Sequence, residues 1–168
     1  VYETAMVLEF NDIPAGYRAE VYKSGQYISN KLSLHNYKKL KMFMRVHDLN
    51  NSELPNTRGE FRQKEKHKNY FYVKFGRDPS NFYEYRVPLI VNEGLADPST
   101  DHDQKIYWDS TTIEIDLEKL TLTKTNGIRD VGLVNGFHYE DEAGMEQYRV
   151  VGSPDITNLQ YFMLGVYN

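Results

Sequence analysis

Short runs in which apolar and polar residues alternate constrain the fold of this 168-residue chain more than any other feature. In the run FYEYRV over 82–87, the even-numbered and odd-numbered residues lie on opposite sides of an extended chain. In the run KMFMRVH over 41–47, Met42, Met44 and Val46 share one side. Such alternation indicates strands with one core face and one wetter face. Strands are predicted over 5–10, 17–22, 40–47, 70–76, 82–87, 111–115, 148–151 and 159–166.

Turn-forming residues, mainly Gly, Asn, Asp and Pro, separate these runs. About eight short strands punctuated in this way predict an all-β fold, an antiparallel β-sandwich with jelly-roll-like connections. Three long loops are predicted over 49–69, 92–105 and 125–147, because these stretches are polar and lack periodicity.

Helix is predicted to be limited to short turns. Asp116 can cap a single turn that runs to Leu120, because its carboxylate can accept hydrogen bonds from the free N–H groups at a helix start. The β-branched residues Thr121, Thr123 and Thr125 follow directly and lower helix propensity. We therefore expect no extension beyond this turn.

The length allows one sizeable core and requires no second one, so residues 1–168 are interpreted as a single sandwich domain. The chain has no cysteine, which excludes disulfides, thiolate metal sites and cysteine nucleophiles. It begins VYETAMVLEF, without an initiator Met and without the basic head and apolar run of a signal peptide. We therefore expect a fragment of a larger protein.

Motifs for catalysis or cofactor binding are missing from the sequence. It lacks Gly-x-Ser-x-Gly, a phosphate loop and a dinucleotide fingerprint, and its histidines form no zinc pattern. Asp101, His102 and Asp103, with Asp97 and Asp109 nearby, offer ligands for a hard cation, but their spacing is not that of an EF-hand. We interpret them as a solvated acidic loop, and predict no catalytic residue, no cofactor and no metal.

The acidity of the chain argues against nucleic acid as a partner. Its pI is about 5.7. The basic run over 62–68 is interrupted by Glu65. Because nucleic-acid-binding domains usually carry a strong basic excess, we interpret this run as a solvated loop.

Aromatic residues, including 14 tyrosines, provide the main binding hypothesis. Tyr83, Tyr85 and Trp108 are candidate binding-surface residues, because exposed amphipathic rings along one face of a sandwich can stack on sugar rings. These rings favour a carbohydrate-binding module of a secreted bacterial protein, with a glycan as its partner. The alternative is that both faces of each aromatic strand are covered inside a larger assembly. The sequence leaves the two alternatives open.

Three blocks of sequence, taken in order, resemble a known family. They are YKKLKMF over 37–43; YVKFGRD over 72–78 with NFYEYRVPL over 81–89; and VGSP over 151–154 with Ile156, Leu159 and LGVYN over 164–168. Together they resemble the SprA/Sov family of Bacteroidetes, very large outer-membrane proteins of the type IX secretion system that are linked to gliding motility. The resemblance spans roughly residues 37–168 and departs from the family at Trp108-Asp109, where a Trp-Pro pair is expected.

The resemblance implies a non-catalytic domain in the cell envelope, at the outer membrane or cell surface, rather than an enzyme. The family implies a giant β-barrel conduit for folded cargo, and a barrel-wall strand needs about 9–11 residues with a continuous apolar lipid face. Lys38, Lys39, Lys41 and Arg45 crowd the nearest candidate strand. The expected role is therefore an insert outside the bilayer that shapes or caps the channel mouth. Its partners would be the parent barrel and other secretion-system proteins.

Overall fold

The structure is a computed structural model of the chain. It describes residues 8, 13–24, 32–44, 69–90, 112–130, 137–140 and 147–168. The elements in these residues are β1 (Arg18–Ser24), β2 (Lys39–Phe43), β3 (Tyr70–Asp78), β4 (Asn81–Pro88), β5 (Thr112–Asp116), α1 (Leu117–Asp130), β6 (Phe137–Glu140), β7 (Gln147–Val151) and β8 (Tyr161–Tyr167).

These strands form two antiparallel sheets. The larger sheet has the order β1-β8-β3-β4-β7-β6, and the smaller sheet pairs β2 with β5. The large sheet forms one layer, and β2, β5 and α1 pack against one of its faces. The predicted all-β, antiparallel, sandwich-like fold is confirmed. The jelly-roll-like connections stay a prediction, because several segments that join these strands lie outside the described residues.

The core lies between the two layers and is built from alternate residues of each strand. On β3, Phe71, Val73 and Phe75 belong to the core, and on β5 Ile113 and Ile115 enter it from the second layer. Val73, Phe75 and Ile115 are fully buried. Burial of such side chains stabilises the fold by about 25 cal/mol per Å² of apolar surface removed from water.

Side-chain hydrogen bonds fix the tip of the β3–β4 hairpin. Asp78 accepts hydrogen bonds from the Ser80 amide and from Asn81 Nδ2, both at 2.9 Å. The side-chain oxygen of Asn81 accepts a further one from the Ser153 amide at 2.9 Å. Beside this bond, Gly152 has a φ of 62°, which residues with a side chain rarely adopt. The hairpin tip is therefore tied to the segment that follows β7.

Seven predicted strands correspond to β1–β5, β7 and β8. The eighth, over 5–10, lies outside the described residues except for Leu8. Strand β6 is an addition, because it falls inside the loop predicted over 125–147 and pairs with β7. The loops predicted over 49–69 and 92–105 lie outside the described residues, apart from residue 69.

Helix α1 spans 14 residues and is longer than the single turn predicted. Thr121, Thr123 and Thr125 do not stop it, and each hydroxyl donates a hydrogen bond to the carbonyl oxygen four residues earlier, at 3.0, 2.7 and 3.0 Å. Leu117 and Leu120 are buried in the core. This packing outweighs the modest helix propensity of the threonines.

Asp116 caps α1, as predicted. Its Oδ1 accepts hydrogen bonds from the amides of Glu118 and Lys119 at 2.9 and 3.1 Å. Asp116→Ala is expected to lower the free energy of unfolding by about 1 kcal/mol, the usual effect of losing an N-cap. Asp116→Asn should lose much less, because the amide oxygen can still accept these bonds. Urea unfolding followed by circular dichroism measures both, and equal losses would contradict the capping role.

Candidate functional site

The outer face of the six-stranded sheet points away from the two-stranded layer and carries charged and aromatic side chains. Cross-strand register places Lys74 on β3 opposite Glu84 on β4, and Glu84 opposite Arg149 on β7. The neighbouring row brings Glu20 on β1 and Tyr72 on β3 to either side of β8. The register therefore gathers charges of both signs on one face.

The absence of a side chain at Gly165 on β8 lets Tyr72 reach Glu20. A Cβ atom at position 165 would lie 2.5 Å from Cζ of Tyr72 and 2.6 Å from its Oη, so the ring occupies the space a side chain would need. Tyr72 Oη donates a hydrogen bond to Glu20 Oε1 at 2.5 Å. Burial, this hydrogen bond and the negative charge of Glu20 raise the pKa of Tyr72 well above its ordinary value.

Five charged side chains form an ion cluster on this face: Glu20, Lys74, Glu84, Arg86 and Arg149. Lys74 Nζ lies 3.1 Å from Glu20 Oε1 and 3.6 Å from Glu84 Oε2. Arg86 Nε donates a hydrogen bond to Glu84 Oε1, and Arg149 Nη1 lies 3.9 Å from Glu84 Oε2. Glu84 is fully buried. Because a buried carboxylate is costly without charged or hydrogen-bonding partners, these three cations make its burial possible.

The pKa of Glu20 is lowered from its ordinary value. Burial alone would raise it, but hydrogen bonds from Tyr72 and Lys74 and the charges of Lys74 and Arg18 outweigh that effect. Neither the pKa of Glu20 nor that of Tyr72 moves toward neutral pH, which is the direction a general acid or base requires. The pair is therefore suited to a fixed hydrogen bond rather than to proton transfer.

Removing the charge of Glu20 is expected to make the free energy of unfolding depend less on pH in the acid range. The folded-state pKa lies below the unfolded value of 4.5, so the unfolded chain binds more protons near that pH. Glu20 therefore stabilises the fold above this pH, and the contribution is lost as pH falls through the folded-state pKa. Glu20→Gln should therefore be less stable than the wild type at neutral pH. Between about pH 5 and about pH 3, its free energy of unfolding should fall by less than that of the wild type.

Urea unfolding across this pH range measures the effect of the Glu20 substitution. Glu118→Gln removes an exposed carboxylate on α1 and is the matched control. If the free energy of unfolding of Glu20→Gln falls with pH as steeply as that of the control, the proposed stabilisation by ionised Glu20 is contradicted.

An open groove of about 440 Å³ lies on the same face beside the ion cluster. The cations and tyrosines that line this outer-face groove are Tyr17, Arg18, Tyr72, Lys74, Arg86 and Tyr167. Tyr17 and Tyr167 are 65% and 37% exposed. The Asn168 amide donates a hydrogen bond to the Tyr17 carbonyl at 3.0 Å, and the Gly16 amide donates one to the Asn168 carbonyl at 2.6 Å. These backbone bonds hold the two exposed tyrosines at the rim of the groove.

Two of the three residues predicted as a binding surface are core residues. Tyr83 and Tyr85 are 2% and 1% exposed. Tyr83 Oη donates a hydrogen bond to the Pro154 carbonyl at 3.3 Å, and the Tyr85 ring packs edge-on against Tyr148 with centroids 5.1 Å apart. The exposed ring platform predicted at these two positions is corrected, because the odd-numbered side of β4 faces the core. Trp108 lies outside the described residues.

The acidic stretch around Asp101 and Asp103 also lies outside the described residues. Within the residues that the structure describes, no group of three or more His, Asp or Glu side chains is arranged to hold a metal ion. None of the helical residues placed by the structure forms a segment long and apolar enough to cross a membrane.

The outer-face groove is not among the sites predicted from the sequence. The alternation in 82–87 correctly separates Glu84 and Arg86 from the core side of β4. A signal was present, because basic and aromatic residues recur on the wetter sides of 70–76 and 82–87. The contribution of β1 and β8 depends on pairing between segments far apart in the chain, which no local pattern reveals.

Comparisons with protein-family models, with curated proteins and with solved structures find no match to this chain. Its functional interpretation therefore depends on the residues themselves and on how the fold arranges them.

Proposed function

We propose that this chain is a non-catalytic domain of a large outer-membrane protein-secretion channel of the type IX system, linked to gliding motility. The domain shapes or caps the channel mouth at the cell surface, and contacts the parent barrel and other secretion-system proteins. One observation carries the proposal: the second and third of the sequence blocks that resemble the SprA/Sov family meet in space, at one hairpin and the strand beside it.

The second block, 72–89, forms most of the β3–β4 hairpin, and the third, 151–168, supplies β8, which pairs with β3. The third block also supplies Gly152 and Ser153, which approach Asn81 at the hairpin tip. The first block forms β2 in the second layer. The second and third blocks therefore form one continuous part of the large sheet, which is what a structural unit shared with that family requires.

The most specific positions of these blocks have backbone roles. A Cβ atom at Gly76 would lie 2.6 Å from the Cα atom of Phe82. Asp78 and Asn81 close the turn through side-chain hydrogen bonds. Gly152 provides the positive φ that follows β7. These residues fix the backbone conformation of the turn and of the segment after β7. A domain that borders a channel needs such fixed backbone conformations.

The exposed side of β2 carries two lysines beside the ring of Phe43, and these charges support a location outside the bilayer. The side chains of Lys39 and Lys41 are 51% and 61% exposed, and both pair with Glu114 on β5. A lysine on the lipid-facing side of a barrel wall costs about 2–4 kcal/mol at the bilayer midplane. In the proposed channel, this layer therefore faces water or a polar partner surface.

Antibodies raised against the purified chain test the parentage. On denaturing gels of membranes from the native cells, we expect them to label a polypeptide far larger than the 19.7 kDa of this chain. The label should follow the outer-membrane fraction and disappear in a strain that lacks the gene. A single band near 19.7 kDa would contradict the proposal.

The alternative of a carbohydrate-binding module based on Tyr83 and Tyr85 loses its support, because both rings are buried. Their edge-on and hydrogen-bonding contacts stabilise the core instead. We therefore retain the secretion-channel domain as the proposed function.

A further inference from the structure

The outer face has more cationic than anionic side chains around the groove. The cations are Arg18, Lys74, Arg86 and Arg149, and the carboxylates are Glu20 and Glu84. Each carboxylate already lies within ion-pair distance of two or more of these cations. Glu20 accepts hydrogen bonds from Tyr72 and Lys74 and lies 3.4 Å from Arg18 Nε. Among the described residues that line the groove, Arg18, Lys74 and Arg86 are cations and none is a carboxylate, which favours an anionic ligand.

Two of these cations are accessible from the groove. The side chain of Arg18 is 58% exposed and that of Arg86 is 31% exposed, whereas Lys74 is 7% exposed and lies deeper. Arg86 donates to Glu84 from Nε, and a guanidinium carries further N–H donors. Planar guanidinium groups bind carboxylates through paired hydrogen bonds. The accessible cations therefore fit a ligand that carries carboxylate groups.

Exposed tyrosine rings flank the accessible cations. Tyr167 lies directly opposite Arg18 in the register between β1 and β8, and Tyr17 precedes Arg18. Such rings are amphipathic: their faces pack against the C–H groups of a sugar, while their hydroxyls bond to its hydroxyls. A run of acidic residues alone lacks a flat apolar face of this kind. The combination therefore fits a sugar with an acidic substituent better than a peptide.

We propose that the outer-face groove binds an acidic saccharide. The carboxylate of the sugar pairs with Arg18 and Arg86, and its ring packs against Tyr17 and Tyr167. The volume of about 440 Å³ accommodates a ligand of that size, because small-molecule sites span about 300–1,000 Å³. This inference is independent of the proposed secretion role, because it depends only on the surface of the domain.

Titration of the purified chain with trigalacturonate, followed by NMR of backbone amides, tests the proposal. We expect saturable shifts at Tyr17, Arg18 and Tyr167, and binding that weakens as salt is raised, because the interaction depends on charge. The uncharged trisaccharide maltotriose should bind at least about tenfold more weakly, the loss of one charge-assisted contact.

Matched variants separate the groove from the rest of the surface. Arg18→Gln should weaken trigalacturonate binding about tenfold, whereas Arg77→Gln, at an arginine 55% exposed near the end of β3, should leave it unchanged. Tyr17→Ala should weaken binding, whereas Tyr37→Ala, at a tyrosine 63% exposed outside the groove, should not. All four substitutions are at exposed side chains, so each variant is expected to fold.

Several outcomes overturn the proposal. Absence of saturable binding does so, and so does equal affinity for maltotriose. Equal affinity for hexaglutamate would assign the groove to an acidic peptide, and equal affinity for inorganic phosphate would remove any role for the rings. Wild-type affinity in Arg18→Gln would remove the groove from the binding site. None of these results bears on the antibody experiment, so the two proposals fail separately.

Discussion

Replacing Gly76 by alanine is expected to lower the free energy of unfolding by about 3 kcal/mol, the upper end of the usual effect of overpacking. The added Cβ would lie 2.6 Å from the Cα atom of Phe82 and 3.0 Å from the carbonyl carbon of Asn81. Both neighbours are backbone atoms of the paired strand, so no flexible side chain can move aside. The hairpin must distort, and with it the strand pairing at the centre of the large sheet.

Gly16→Ala is the matched control for this prediction. Its Cβ would meet no atom within 4 Å, so only its φ of 82° is unfavourable for alanine. That strain costs about 1–2 kcal/mol. Urea unfolding should therefore rank Gly76→Ala as clearly less stable than Gly16→Ala. The reverse order would contradict the close approach described at Gly76.

Removing the charge of Glu84 is expected to lower the free energy of unfolding by about 3 kcal/mol, the lower end of the usual effect of breaking a buried ion pair, because Lys74 keeps its pair with Glu20. Glu84 is fully buried, and Glu84→Gln leaves Lys74 and Arg86 without their shared carboxylate. Lys74 is only 7% exposed, so water cannot readily replace the lost partner. The neutral amide keeps the shape of the side chain, so the loss reports mainly on charge.

A double-mutant cycle with Lys74→Met distinguishes this electrostatic coupling from a general packing defect. Lys74→Met should lower the free energy of unfolding by clearly less in the Glu84→Gln background than in the wild type. The reason is that the buried carboxylate of Glu84, which loses a cationic partner in Lys74→Met, is absent from that background. Glu114→Gln is the surface control: Glu114 pairs with the exposed Lys39 and Lys41, and such exposed pairs contribute little to stability. If the effects of Glu84→Gln and Lys74→Met on the free energy of unfolding simply add in the double variant, the coupling between the two residues is contradicted.

The local pattern of the sequence predicts much of the fold, including which side of β4 faces the core. The alternation in 82–87 gives β4 two distinct sides, as the structure has them. Tyr83 and Tyr85 share their side with Val87, whereas the other side carries Glu84 and Arg86. The alternation by itself therefore predicts that Tyr83 and Tyr85 face the core. The prediction of an exposed binding surface was wrong because it was based on the chemistry of tyrosine rings and not on this alternation.

Tertiary contacts explain where the predictions stop being correct. Helix α1 extends past Thr121 because Leu117 and Leu120 pack into the core, a contact that propensity does not include. Strand β6 is only four residues long and is specified by pairing with β7. The groove depends on Arg18 meeting Tyr167 across β1 and β8, near opposite ends of the chain. Local patterns therefore predict the strands more completely than the site.

Secretion by native cells provides the most direct measurement of the proposed role. In a strain whose chromosomal gene has residues 1–168 of this chain replaced by a short Gly-Ser linker, we expect the remaining protein to reach the outer membrane. Type IX cargo should then accumulate inside the cells and disappear from the medium. Wild-type amounts of cargo in the medium of this strain would contradict the proposal that the domain shapes or caps the secretion channel.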